Sequence, residues 1–175
     1  KLTYQRPENG EQVRQVSVSG CDPLGRYLGQ TNVPSACYKT FRSGLIEASK
    51  QHDLRAVVFG MRWTNKLSNF VKTAQDNGLT TTVALKAFQQ AARLTIRDIH
   101  NIVGEDVRII VIGSLPDYDI WPATCVARAA KLHQSLLVCE NTEQRNDIWG
   151  IAADNILSDL ASEQVEVILP RNRLC

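Results

Sequence analysis

The chain has 175 residues, 43% hydrophobic and 22% charged, with a formal net charge of +2. That balance fits one globular α/β domain able to bury a core of useful size. It offers neither the net charge nor the basic runs that a nucleic-acid partner would require. No window approaches the roughly 18 consecutive apolar residues of a membrane span, and Lys1 opens no signal peptide. The opening Lys-Leu-Thr-Tyr and the closing Arg-Leu-Cys175 read as the ends of a piece cut from something longer.

Taken in chain order, Gln12 to Ser19 carries Val13, Val16 and Val18 and reads as a strand. It leads into Ser-Gly-Cys21-Asp-Pro-Leu24, and the stretch from Cys21 to Ala36, punctuated by Gly and Pro, reads as a long loop. Thr40 is the expected N-cap of a helix to about Gln51, with Phe41, Leu45, Ile46 and Ala48 on its apolar face. Ala56 to Met61 is apolar apart from Gly60, the pattern of a strand covered on both faces. A loop through Asn65 should follow. Then Leu67, Phe70, Val71 and Ala74 repeat at helical spacing as far as Asn77-Gly78, a helix stop. Leu85, Phe88, Ala92, Ile96, Ile99 and Val103 mark a long amphipathic helix ending at Gly104. Val107 to Ile112 is the next strand, and Gly113 to Asp119 leaves it as a loop. Pro122 should open a short helix through Lys131. Ile148, Ile151, Ala152, Ile156, Leu157 and Leu160 mark the last helix, and Val165 to Leu169 the last strand.

Strands alternating with helices predict a parallel, doubly wound sheet. Ligands of such sheets sit beyond the carboxyl ends of the strands. Functional residues are therefore expected after Ser19, Met61, Ile112 and Leu169. Those loops hold no Gly-x-Gly-x-x-Gly and no Gly-x-x-x-x-Gly-Lys, which argues against a nucleotide phosphate site. No Cys-x-x-Cys pair is present, and His52, His100 and His133 are far apart, which argues against a zinc site; each histidine reads as a surface or boundary residue. No cofactor is implied. Ser114 follows a strand but lacks the Gly-x-Ser-x-Gly elbow, so it reads as a turn residue. Asp117 and Asp119 read as turn caps as readily as partners of a histidine.

One ordered series runs along nearly the whole chain: Ser-Gly-Cys-Asp-Pro-Leu after a strand, a second cysteine at Cys37, Val-Val-Phe-Gly-Met-Arg-Trp63, Ile-Gly-Ser-Leu-Pro-Asp-Tyr118 and a terminal Arg-Leu-Cys175. This series resembles the SGNH domain fused to the C-terminus of acyltransferase-3 membrane proteins. The resemblance implies a flavodoxin-like (SGNH hydrolase-like) three-layer α/β/α sandwich with a mostly parallel sheet. It also implies an activity, the movement of an acetyl or other short acyl group onto hydroxyls of envelope sugars such as lipopolysaccharide. The family's nucleophilic serine lies in a Gly-Asp-Ser-His block and its aspartate and histidine in an Asp-x-x-His block. Neither block occurs in this sequence.

By the same resemblance, residues 1–175 form a single, incomplete SGNH-like domain lacking its first strand. That strand would lie between Gln12–Ser19 and Ala56–Met61, a slot that a segment such as Lys1 to Arg6 would have to fill. Gly20 takes the place of the block whose backbone N–H holds the developing oxyanion. Arg62, Trp63 and Asn65 take the place of the family's Gly-x-Asn-Asp block, and either Arg62 or Asn65 would supply the amide-like donor. The alternative readings of Gly20 and Trp63 are a plain loop glycine and a core or rim aromatic. An arginine directly after a buried strand must find a partner.

The implied partners are an acyl donor, an envelope glycan acceptor and the N-terminal transmembrane acyltransferase domain of the parent chain. The implied location is periplasmic, as a domain of an inner-membrane protein. The competing readings are a non-catalytic α/β module that binds a glycan or a protein, and a free-standing SGNH esterase. Cys21 and Cys37 flank a loop of about fifteen residues, and a disulfide there would stabilise the fold by roughly 3 kcal/mol. The family places a partner for Cys175 beyond this chain. Cys125 and Cys139 read as buried small hydrophobes, with a bond between them left open.

Overall fold

A computed structural model describes residues 3–5, 13–15, 23–29, 35–114, 122–135 and 148–171. Strands β1 (Thr3–Gln5) and β2 (Val13–Gln15) are followed by a 3-10 turn (Pro23–Arg26), α1 (Ser35–Ser49), β3 (Ala56–Gly60), α2 (Trp63–Asp76), α3 (Thr81–Val103), β4 (Arg108–Ile112), α4 (Pro122–Lys131), α5 (Ile148–Ser158) and β5 (Val165–Ile168). β3, β4 and β5 form a three-stranded sheet in that order. It is parallel throughout, with Gly60 opposite Ile112 and Ile112 opposite Ile168 at its carboxyl end. This is the expected α/β class.

The described part of the Gln12–Ser19 segment is not in that sheet. β2 pairs antiparallel with β1, Tyr4 opposite Arg14, in a ribbon of its own. The described part of the Lys1 to Arg6 segment, Thr3–Gln5, therefore does not fill a slot beside β3; it closes locally on β2, where the short connection makes pairing entropically inexpensive. The β3 strand also differs from expectation. Phe59 is buried and Val57 packs on the core, whereas Val58, pointing the other way, is 60% exposed. Side chains alternate across a strand, so an apolar run does not by itself cover both faces.

Two helices start earlier than their cap signals. α1 begins at Ser35 rather than at Thr40. Extending the helix back adds buried Cys37 to the stripe of Phe41 and Leu45 at successive intervals of four, and this apolar register outweighs the threonine cap. α2 begins at Trp63, because Trp63, Leu67 and Val71 share one face and are all fully buried. The segment expected as a loop is thus an N-cap, Arg62, and a first helical turn. α2 stops as expected: Gly78 takes φ +80°, its N–H bonds Gln75 O at 2.9 Å and the Leu79 N–H bonds Ala74 O at 2.9 Å, the Schellman pattern.

α3 is capped by Thr80, whose hydroxyl accepts from the Val83 N–H at 3.4 Å, and it ends at Gly104. Its buried stripe Ala84–Phe88–Ala92–Ile99 packs with α2 and α5 over Ile109 and Val111 of β4. Pro122–Lys131 is helical as expected. Cys37 and Cys125 are both disulfide-bonded, so Cys125 is not a simple buried thiol. Cys21, Cys139 and Cys175 lie outside the described residues.

The 3-10 turn and α1 are fastened to α3 by one carboxylate. Asp98 accepts hydrogen bonds from the hydroxyls of Tyr27 and Tyr38. Burial first, and the hydrogen bond to Asp98 second, push the Tyr27 hydroxyl up from 10.0 to about 12. The folded chain therefore keeps a proton that the unfolded chain gives up above pH 10. The contribution is complete below that pH and is lost as pH rises through about 12. Chemical denaturation across this window should show stability falling more steeply for the wild type than for Tyr27→Phe; parallel slopes would refute the linkage.

Candidate functional site

The carboxyl ends of β3, β4 and β5 bring together three short segments: Met61-Arg62-Trp63, Gly113-Ser114 and Leu169-Pro170-Arg171. The turn out of β3 is tight, with the Trp63 N–H bonded to Met61 O at 2.9 Å. The Trp63 indole is fully buried; its Nε1–H donates to Ile112 O at 2.8 Å, and its ring meets Phe59 edge-on at 5.4 Å. Of the two readings for Trp63, the core aromatic describes its position: it forms the floor beneath the strand ends.

Arg62 is exposed. Its side chain makes no cap and no hydrogen bond or ion pair to a described residue. The expectation that it must find a partner is corrected, because a solvated guanidinium needs none. Asn65 is half-buried in the first turn of α2, where its backbone carbonyl accepts from the Ser68 hydroxyl at 3.2 Å. Its carboxamide bonds no described residue. Arg62, Trp63 and Asn65 are thus gathered at one helix start. Gly20, Asp117 and Asp119 lie outside the described residues.

Ser114 has a structural use that the sequence did not signal. It is only 9% exposed, and its Oγ accepts the Thr64 N–H at 3.1 Å. Arg62 cannot supply the side-chain oxygen that helix starts prefer, so the segment leaving β4 supplies it from beside the end of β3. Thr64 Oγ1, buried beside it, has no hydrogen-bond partner among the described residues.

The floor of the crevice holds a further pair that sequence reasoning missed. Asp154 of α5 and Arg171 after β5 form an ion pair, Nε to Oδ2 3.1 Å, with side chains only 10% and 11% exposed. Gly113 makes room for it: a Cβ there would lie 3.0 Å from Leu169 Cδ2 and 3.3 Å from Asp154 Oδ1. The available signal was a carboxylate within the apolar run Ile151-Ala-Ala-Asp-Asn-Ile156, on the face that α5 buries. His52 and His133 are exposed and His100 is half-buried on α3. Among the described residues no group of three His, Cys, Asp or Glu is placed to hold a metal ion.

Removing one member of a buried pair strands the other charge at a cost of about 3–5 kcal/mol, whereas replacing both with apolar groups costs far less. Arg171→Met should therefore lower the urea-unfolding free energy by about 3 kcal/mol, and Asp154→Leu added to it should restore part of the loss. A single variant as stable as the wild type would show that the pair contributes nothing.

A family model described as SGNH domain (fused to AT3 domains) matches residues 2–175. No curated protein and no solved structure matches the chain. The match spans both the strand-end segments and the helices that hold them, and it places this chain in an acyltransferase-associated setting. The chain belongs to the family of SGNH domains fused to AT3 domains.

Proposed function

We propose that the chain is the SGNH part of an envelope O-acyltransferase that passes an acetyl or other short acyl group to a hydroxyl of a cell-surface glycan, lipopolysaccharide being one such acceptor. The observation that carries this reading is the family match over residues 2–175, with its fusion to an acyltransferase domain. Residues 1–175 are then the middle of a single SGNH domain of an inner-membrane protein, facing the periplasm. No helix among the described residues is long and apolar enough to cross a membrane.

In this reading the serine, histidine and aspartate of the parent's two catalytic blocks do the covalent work. The serine oxygen attacks the acyl carbonyl of the donor as histidine takes its proton, the donor's leaving group departs with that proton from the imidazolium, and the aspartate orients the imidazole. The glycan hydroxyl then displaces the enzyme oxygen from the acyl carbon as histidine removes its proton, and the serine regains one. The Gly20 N–H and the Asn65 carboxamide donate to the oxyanion that develops in each step. Asn65 is favoured over Arg62 as the side-chain donor because its amide is half-buried, unused by described neighbours and held at a helix start, where the dipole favours negative charge. Exposed Arg62 meets the incoming substrate, and Trp63 keeps the floor beneath both rigid.

Loss of one oxyanion donor typically costs about 10²–10³ in kcat. In an acyl-transfer assay of the full parent protein, Asn65→Ala should lower kcat by about that factor with little change in KM. Ser114→Ala, which removes a helix-start cap and no donor to the oxyanion, should lower kcat far less. An Asn65 variant that transfers at the wild-type rate would remove that residue from the machinery, and a parent that moves no acyl group onto any envelope glycan would end the proposal.

The same setting is oxidising, and the disulfide state of Cys37 supports the pairing with Cys21 that brackets the Asp22–Ala36 loop. Peptide mapping of the unreduced protein should recover Cys21 and Cys37 in one linked fragment; a different partner for Cys37 would refute the pairing.

A further inference from the structure

A groove of about 740 Å³ opens between the 3-10 turn, α1 and α3, and none of its lining residues belongs to the strand-end crevice. Its charges are one-sided: Arg26, Lys39 and Arg42 face a single carboxylate, Asp98. That carboxylate is already engaged by the hydroxyls of Tyr27 and Tyr38. The Arg26 guanidinium lies over the Tyr38 ring, 4.5 Å from its centroid, and stays in the groove. None of the three cations forms an ion pair or hydrogen bond with a described residue. Lys39 and Arg42 sit three residues apart on α1, where like charges repel and an anion between them would relieve the repulsion.

We infer that this groove binds an acidic saccharide, one whose sugar residues carry carboxylate or phosphate groups. The inference rests on the glycan reading above and adds to it a class of acceptor and a second place where the glycan is held. The three cations take the acidic groups, and Ser43 and Asn101 in the same lining offer hydrogen bonds to sugar hydroxyls. A membrane surface fits less well. The site is concave, and Ile46, 36% exposed, is the one lining residue among the exposed large apolar side chains, where an interfacial anchor would present several.

The test is calorimetric titration of the intact protein with a galacturonic acid trisaccharide, with neutral maltotriose, and with phosphatidylglycerol vesicles. The acidic trisaccharide should bind, with an affinity that falls as salt is raised. Lys39→Gln should weaken it about tenfold and Lys39→Gln/Arg42→Gln about a hundredfold, or about 1.4 kcal/mol per cation. All these proteins should melt at the wild-type temperature, since both side chains are solvent-exposed. No binding of the acidic trisaccharide, equal binding of maltotriose, indifference to the two substitutions, or binding to the vesicles alone would each overturn the assignment. No acyl transfer is read, so a failure here leaves the strand-end proposal standing, and a failed transfer assay leaves the measured binding intact.

Discussion

The buried indole of Trp63 is the contact on which the site end of this domain depends. It is at once the first residue of α2, part of the apolar core and a hydrogen-bond donor to Ile112 O, the last carbonyl of β4. A polar N–H taken out of water must be satisfied, so the indole fixes α2 relative to the central strand and not merely against it. With α2 fixed, Ser114 reaches the Thr64 N–H and closes the helix start from the neighbouring strand. The spacing between the β3 and β4 ends is thereby set by two hydrogen bonds in addition to the sheet ladder.

The third strand end is set differently. Gly113 donates to Ile168 O at 2.8 Å, and its missing side chain admits Leu169 and the Asp154 carboxylate. Arg171 then crosses from the end of β5 to that carboxylate. A buried ion pair is weak support for stability as such, but it is intolerant of displacement, since moving either member costs the other a buried, charge-assisted hydrogen bond. Together the indole and the ion pair make a rigid floor under the strand ends, which is what the oxyanion donor of the proposed mechanism would require.

The basic groove lies on separate elements and obeys a different logic. Its anchor is a carboxylate spent on two tyrosine hydroxyls, and the surrounding cations form no ion pair with it or with any other described residue. A glycan held at a distance from the reacting hydroxyl would gain orientation from such contacts, and binding far from the chemistry is a common source of positioning. The same tyrosines tie the turn after Cys21 to α3, so the groove and the expected disulfide loop share one support.

The alternation of strands and helices, the Asn77-Gly78 stop, the Pro122 helix and the ordered motif series were legible in the sequence, because each depends on spacing and local backbone preference. The position of the Arg-Trp pair directly after a strand was legible too. Its helical setting was not, since the Trp63–Leu67–Val71 stripe competes with an expected loop and wins only when the core is there to receive it. The same competition moved the start of α1 to Ser35, and burial on one face alone left Val58 exposed. Strand partnership was undecided for the same reason: alternation shows that Val13–Gln15 can be a strand, not that it pairs with Thr3–Gln5. The contacts Ser114–Thr64, Asp154–Arg171 and Asp98–Tyr27 join residues 50, 17 and 71 positions apart. The sequence determined which segments could form and in which order the strand ends would follow one another; which polar groups meet at those ends was decided by tertiary packing, because a hydrogen bond between distant residues has no local periodicity to announce it.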